Sequence, residues 1–199
     1  GEGIYHILAL TAVAIWGTTF VSTKLLLAEG MTPAEIMFYR FLIAYLALKL
    51  YKPTFRLPES WRDEALFAAA GLTGGSLYFL TENMALVVFN GSFILKIQPA
   101  GDLLTLAAAL TWALYNICLK KLDGRHSTLE ITRKVFFYGV VTLLPVFAFT
   151  PLRFDTALFR NPVVAANLLF LGLVASLFCF AVWNTAVKHL GTVKTSNYI

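Results

Sequence analysis

With 199 residues, of which 58% are hydrophobic and 14% charged, and a mean hydropathy of +0.72, the chain carries more apolar surface than a soluble domain of its size buries. Such domains hold roughly a quarter charged residues. The net charge of +5 lies between apolar runs and not in a stripe with interleaved aromatics, which argues against a nucleic-acid partner and for the lipid bilayer.

In chain order the first apolar run, 4–23, is free of charge and long enough to cross a hydrocarbon core of ~30 Å at 1.5 Å per residue. No basic n-region precedes it and no small-residue cleavage site follows, so this helix is expected to be retained and not cleaved as a signal peptide. A turn, Glu29-Gly30-Met31-Thr32-Pro33, leads into a second span at 34–50, with Thr32 as cap, Pro33 at the first helical position and Arg40 as its one interior charge. A polar stretch with Pro53 and Pro58 precedes the third span, 65–86, where Ala70-xxx-Gly74 and Gly71-xxx-Gly75 favour close helix approach. Further spans are expected at 103–119, 135–150 with Pro145, and 163–187. Residues 193–199 read as the start of another. Cys118 and Cys179 sit in apolar segments without a CxxC or Cys/His cluster, so packing is their expected role, not a disulfide framework or a metal site.

The chain repeats itself. Ala14 to Lys24 (AIWGTTFVSTK) returns as Leu110 to Lys120 (LTWALYNICLK), so Trp16 matches Trp112 and Lys24 matches Lys120, each pair 96 positions apart. Gly71, Leu72, Phe79, Asn83 and Ala85 likewise equal Gly172, Leu173, Phe180, Asn184 and Ala186, 101 positions on. Placing the basic loops 49–62, 120–134 and 188–194 on the cytoplasmic side leaves only Lys24, Lys96, Arg153 and Arg160 opposite, and Arg40 alone within a span. That asymmetry satisfies the positive-inside rule. It makes the helix at 4–23 run outward and its copy at 103–119 inward, an inverted repeat.

Together Ala14-Ile15-Trp16-Gly17 with Lys24, Phe38-Tyr39-Arg40-Phe41, Glu82-Asn83-Met84-Ala85-Leu86 and Trp183-Asn184-Thr185-Ala186 resemble the drug/metabolite transporter superfamily, in particular its EamA-type members. The resemblance implies an all-α polytopic membrane protein in which inverted repeats supply ten spans, six of them visible here. It divides the chain into a first repeat at 1–86, a remnant of a fifth span with a connecting segment at 87–102, and a second repeat at 103–199. A fourth span and most of a fifth are missing after Leu86, and the ninth and tenth lie beyond Ile199. The implied function is secondary transport, by export or exchange, of a small organic metabolite such as an amino acid or a related drug-like solute. The implied location is a cell membrane, the bacterial inner membrane. Two other readings stand beside it: a non-transporting membrane assembly subunit, and a membrane-embedded transferase, which calls for paired acids or a metal cluster.

No GxxxxGK[ST] phosphate loop, cofactor motif or readable Ser/His triad is present. The chain therefore reads as a non-enzyme without a cofactor, driven by a gradient of protons or another ion, or by the solute itself. His6, His126 and His189 read as solvated surface. Trp16 and Trp112 lie at matching depths, away from the aromatic belts, and either line a central cavity or pack between helices. Tyr115 and Asn116 share or adjoin the Trp112 face. Glu82, the one carboxylate inside an apolar run, is either a proton or cation site or an interfacial acid, with Asn83 beside it and Asn184 as that residue's partner. Arg40 binds a substrate carboxylate, pairs with Glu82, or snorkels outward. Tyr78 and Trp183 complete the candidate binding residues, while Lys24 and Lys120 read as interfacial anchors.

Overall fold

A computed structural model describes residues 2–53, 60–89 and 99–199, and every described element is helical. Helix α1 (Gly3–Ala28) ends at Gly30, whose φ of +84° turns the chain. Helix α2 (Pro33–Tyr51) opens on a capping box: the Thr32 hydroxyl accepts from the Glu35 N–H at 3.2 Å and the Glu35 carboxylate accepts from the Thr32 N–H at 2.8 Å. A continuous rod follows, formed by α3 (Trp61–Gly71), a π-helical stretch at Leu72–Leu77 and α4 (Tyr78–Val88). Helices α5 (Pro99–Leu122) and α6 (Thr128–Leu143) come next, and Pro145 tightens the end of α6 into a 3₁₀ stretch at Leu144–Ala148. The short α7 (Thr156–Arg160) precedes a second π-interrupted rod: α8 (Pro162–Leu169), Phe170–Phe178 and α9 (Cys179–Leu190). Helix α10 (Thr192–Ser196) closes the chain.

Four of these rods, Gly3–Ala28, Pro99–Leu122, Thr128–Ala148 and Pro162–Leu190, are long and apolar enough to cross a bilayer. Two further spans read from the sequence are helical but less apolar. Glu35, Arg40 and Lys49 interrupt α2, and Asp63, Glu64 and Glu82 with a run of Gly, Ser and Thr dilute the rod from 61 to 88. Helix α6 begins at Thr128, ahead of the expected 135, because Ser127 caps it through the Glu130 N–H. The connecting segment expected at 87–102 falls largely outside the described residues.

Helix α2 packs against α6, α8 and the second π stretch, while α6 packs against α3 and the first π stretch. Small residues permit these contacts. A Cβ on Gly71 would stand 2.5 Å from Tyr138 Cβ on α6, and one on Gly172 would stand 2.6 Å from Ile43 Cγ2 on α2. Thus the glycines paired in the sequence repeat each receive a helix from the opposite half. Outside this core, Leu103, Leu106, Leu110, Leu114 and Ile117 expose one continuous stripe of α5, and Ile4, Ile7 and Leu10 are exposed on α1. Such a stripe is costly in water and suited to lipid.

Two polar clasps close the ends. At one, Glu35 is fully buried and its carboxylate accepts from Arg153 at the backbone N–H (2.9 Å), Nε (3.0 Å) and Nη2 (2.8 Å), and Tyr39 donates to the Arg153 carbonyl. At the other, Asp63 accepts from Arg125 and lies 3.0 Å from His126 Nε2, while Glu64 accepts from Lys134 at 2.6 Å and from the Tyr138 hydroxyl. His126 is largely buried, with Glu130 on its other nitrogen at 3.4 Å and Phe67 against its ring. The expectation of solvated surface is corrected for this residue.

The His126 hydrogen bond, reinforced by Arg125, holds the Asp63 carboxyl below its ordinary value of 3.8. An acid depressed on folding contributes stability that is complete above its unfolded pKa and is lost as pH falls through the folded one. The Asp63 contribution to melting of the purified protein should therefore be independent of pH near neutrality and decline below about pH 4. Asp63→Asn should lower the neutral plateau and reduce that decline. An unchanged acid limb in this variant would remove Asp63 from the account.

Candidate functional site

The three tryptophans of α1, α5 and α9 meet in the middle of the bundle. Trp16 lies edge-on to Trp112 with ring centroids 5.4 Å apart, Trp183 is 5.4 Å from Trp16 and 5.9 Å from Trp112, and Phe180 lies within 6 Å of both Trp16 and Trp112. Edge-to-face pairs at this range are worth ~0.5–1.5 kcal/mol beyond area burial. The Trp16 Nε1–H donates to the Ala175 carbonyl at 2.8 Å, inside the second π stretch. That donation anchors α1 where the helical ladder is already interrupted, a kind of interruption that recurs at functional sites.

Below the tryptophans a hydrogen-bond chain links three helices. The Tyr115 hydroxyl donates to Asn184 Oδ1 at 2.7 Å, and Asn184 Nδ2 donates to the Thr132 hydroxyl at 2.9 Å. Asn116 Nδ2 donates to the Trp112 carbonyl at 3.0 Å, and Trp183 Nε1 donates to Asn116 Oδ1 at 3.4 Å. Asn83 instead reaches the Pro33 carbonyl at 3.5 Å, at the start of α2. The two asparagines matched in the sequence therefore each bind near the first turns of the second helix of their own half, α2 for Asn83 and α6 for Asn184.

A charged cluster adjoins the aromatic one. Arg40 is 1% exposed, so it does not snorkel. Its Nε donates to the Ser176 hydroxyl at 2.9 Å, and its guanidinium carbon lies 4.2 Å from the centre of the Phe79 ring. The Glu82 carboxylate accepts from Tyr78 at 2.9 Å. Tyr78 joins the two clusters, since its ring lies 4.9 Å from Trp112 and 4.8 Å from Phe79. Two buried N–H donors, Arg40 Nη2 and Trp112 Nε1, have no partner among the described residues.

All ten candidate residues thus fall in the interior or on its margin, although Asn83 faces α2 and stands apart from the tryptophans. Sequence reasoning missed Ser176, Thr132 and Phe180. Phe180 was within reach as the repeat partner of Phe79, and the two rings lie 6.1 Å apart. Ser176 and Thr132 carried no comparable signal. Lys24 and Lys120 are exposed at the ends of their helices.

A family model described as the EamA-like transporter family matches residues 3–98 and again 99–199. An uncharacterized transporter of Archaeoglobus fulgidus is 22% identical over 244 residues, which covers 98% of this chain and 83% of the relative. The matched stretch is thus longer than the whole of this 199-residue chain. The uncharacterized inner membrane transporter YhbE of Escherichia coli K12 is 35% identical over 108 residues, half of this chain and 33% of that protein. The Shigella flexneri protein of the same name matches to the same extent. No solved structure matches the chain.

Proposed function

The chain belongs to the EamA-like transporter family, and from that premise we propose that this multi-pass membrane protein moves a small organic metabolite by alternating access between two inverted repeats, as a secondary exporter or exchanger. The observation that carries the proposal is the convergence of residues equivalent in the repeat. Trp16 meets Trp112 at 5.4 Å and Phe79 meets Phe180 at 6.1 Å. Equivalent residues from two halves touch where a pseudo-two-fold axis passes, and in inverted-repeat transporters that axis lies at the midplane binding site.

Three further features support this reading. The π-helical stretch at Leu72–Leu77 corresponds, 101 positions on, to part of the stretch at Phe170–Phe178. The family model matches each half separately. The interior also holds Arg40 and Glu82, and ionisable groups at membrane depth mark substrate or ion pathways by default. The site comprises Trp16, Arg40, Tyr78, Glu82, Asn83, Trp112, Tyr115, Asn116, Trp183 and Asn184. Six spans are present, with the basic loops cytoplasmic and the bacterial inner membrane as the location. The longer matched stretch of the archaeal relative supports the reading that a family helix or more has no counterpart within this chain. The repeats run over 1–86 and 103–199, joined through 87–102.

The test is flux in liposomes reconstituted with the full chain, using labelled L-amino acids, 2-hydroxy acids, nucleosides and choline, with and without a proton gradient. Movement of at least one class above protein-free liposomes is expected. Trp16→Ala and Trp112→Ala should each reduce it tenfold or more while leaving membrane insertion intact. Flux indistinguishable from empty liposomes for every class would overturn transport, and unaltered flux in both variants would remove the tryptophans from the site.

A further inference from the structure

We propose that the transported solute carries a carboxylate, that this carboxylate binds Arg40, and that Glu82 takes up one proton as it does so. The inference rests on the transporter reading above and deepens it.

The buried cluster around Arg40 is short of acceptors. The Arg40 guanidinium has five N–H donors in a fixed fork and no acceptor. Ser176 takes Nε, Phe79 covers the face of the group, and Nη2 is left with no partner among the described residues. Across the Tyr78 ring the Trp112 Nε1–H is also unmet. An unsatisfied buried donor is unfavourable, and more so when it belongs to a charged group. A ligand amine would add donors to a cluster already in excess of them. A carboxylate supplies up to four acceptor positions and matches the guanidinium in a bidentate geometry.

Charge balance supplies the proton. With Arg40 cationic and Glu82 anionic the pair is neutral, so a second carboxylate entering a low-dielectric interior would leave one net negative charge. Protonation of Glu82 removes that charge. The proton comes from the aqueous side by which the solute enters and leaves with it. Among the described residues the titratable groups near Glu82 are Tyr78, which bonds it from its own helix, and Arg40 on α2, and Cys179 on α9 lies near Arg40. Neither Tyr78 nor Cys179 brings a positive charge that could compensate for the incoming anion. Tyr78 donates its hydroxyl to Glu82, and that proton can rotate away once the carboxyl carries its own.

The experiment uses the same reconstituted full chain and solute classes. Moved solutes should be acids. Conversion of a moved acid to its amide should abolish competition, and pyranine trapped in the liposomes should report one proton per acid. Apparent affinity should rise by up to about tenfold per unit fall in pH. Glu82→Gln should reduce gradient-driven accumulation at least tenfold and flatten the pH dependence. Movement of nucleosides or choline alone, or equal competition by acid and amide, overturns the carboxylate assignment while transport stands. Acid movement without proton uptake, or wild-type gradient dependence in Glu82→Gln, overturns the coupling. No movement of any class overturns both this inference and the function beneath it.

Discussion

Replacing Arg40 with methionine should abolish solute flux and also destabilise the protein by about 3–5 kcal/mol, the range seen when removing one buried charge leaves another uncompensated. The guanidinium is 1% exposed and shares one cluster with Glu82 through Phe79 and Tyr78, so its loss leaves that carboxylate without a neighbouring positive charge. The paired replacement Arg40→Met with Glu82→Gln removes the stranded charge and keeps an acceptor for the Tyr78 hydroxyl. It should recover most of the lost stability without recovering flux. Melting of the purified protein and flux in liposomes, measured on wild type, both single variants and the double, form the cycle that separates the two roles. Non-additive stabilities together with undiminished flux in Arg40→Met would reduce the pair to a structural tie.

The aromatic half of this site was legible in the sequence because repetition is a local, countable signal. Two tryptophans 96 positions apart in matching runs, with opposite helix directions implied by the basic loops, are enough to bring Trp16 and Trp112 to one depth. Their ring contact at 5.4 Å follows from that. Arg40 had three open readings, since a single charge in an apolar run looks the same whether it faces lipid, water or protein. Only the packing of α2 against the second π stretch brings Ser176 to its Nε. Contacts between distant polar residues were illegible for the same reason. Glu35 meets Arg153 across 118 positions and Asp63 meets His126 across 63, and neither pair has a spacing that periodicity can detect. The π stretches left only indirect traces, because an inserted turn is a matter of backbone register. Gly74, Gly75 and Ser76 inside the first read equally well as helix-packing residues.

Those small residues carry the second large expectation. Adding a single methyl group with Gly74→Ala should destabilise the protein by about 1–3 kcal/mol, the usual cost of overpacking a filled core. The new Cβ would overlap the ring of Tyr115, which cannot retreat easily. Tyr115 is fully buried, packs against Trp112 at 4.9 Å, and is held at its hydroxyl by Asn184, which is held in turn by Thr132. A displaced Tyr115 would therefore disturb α5, α6 and α9 together and move Trp112 off the Tyr78 ring. Tyr115→Phe releases the hydroxyl but keeps the ring in the way, so Gly74→Ala should remain costly in that background. Tyr115→Ala vacates the space, and there the added methyl should cost little or nothing. Melting temperatures of the six proteins, with Gly or Ala at 74 crossed against Tyr, Phe or Ala at 115, give the answer. An equal penalty in all three backgrounds would mean that the glycine serves the backbone of the π stretch itself and not the approach of α5.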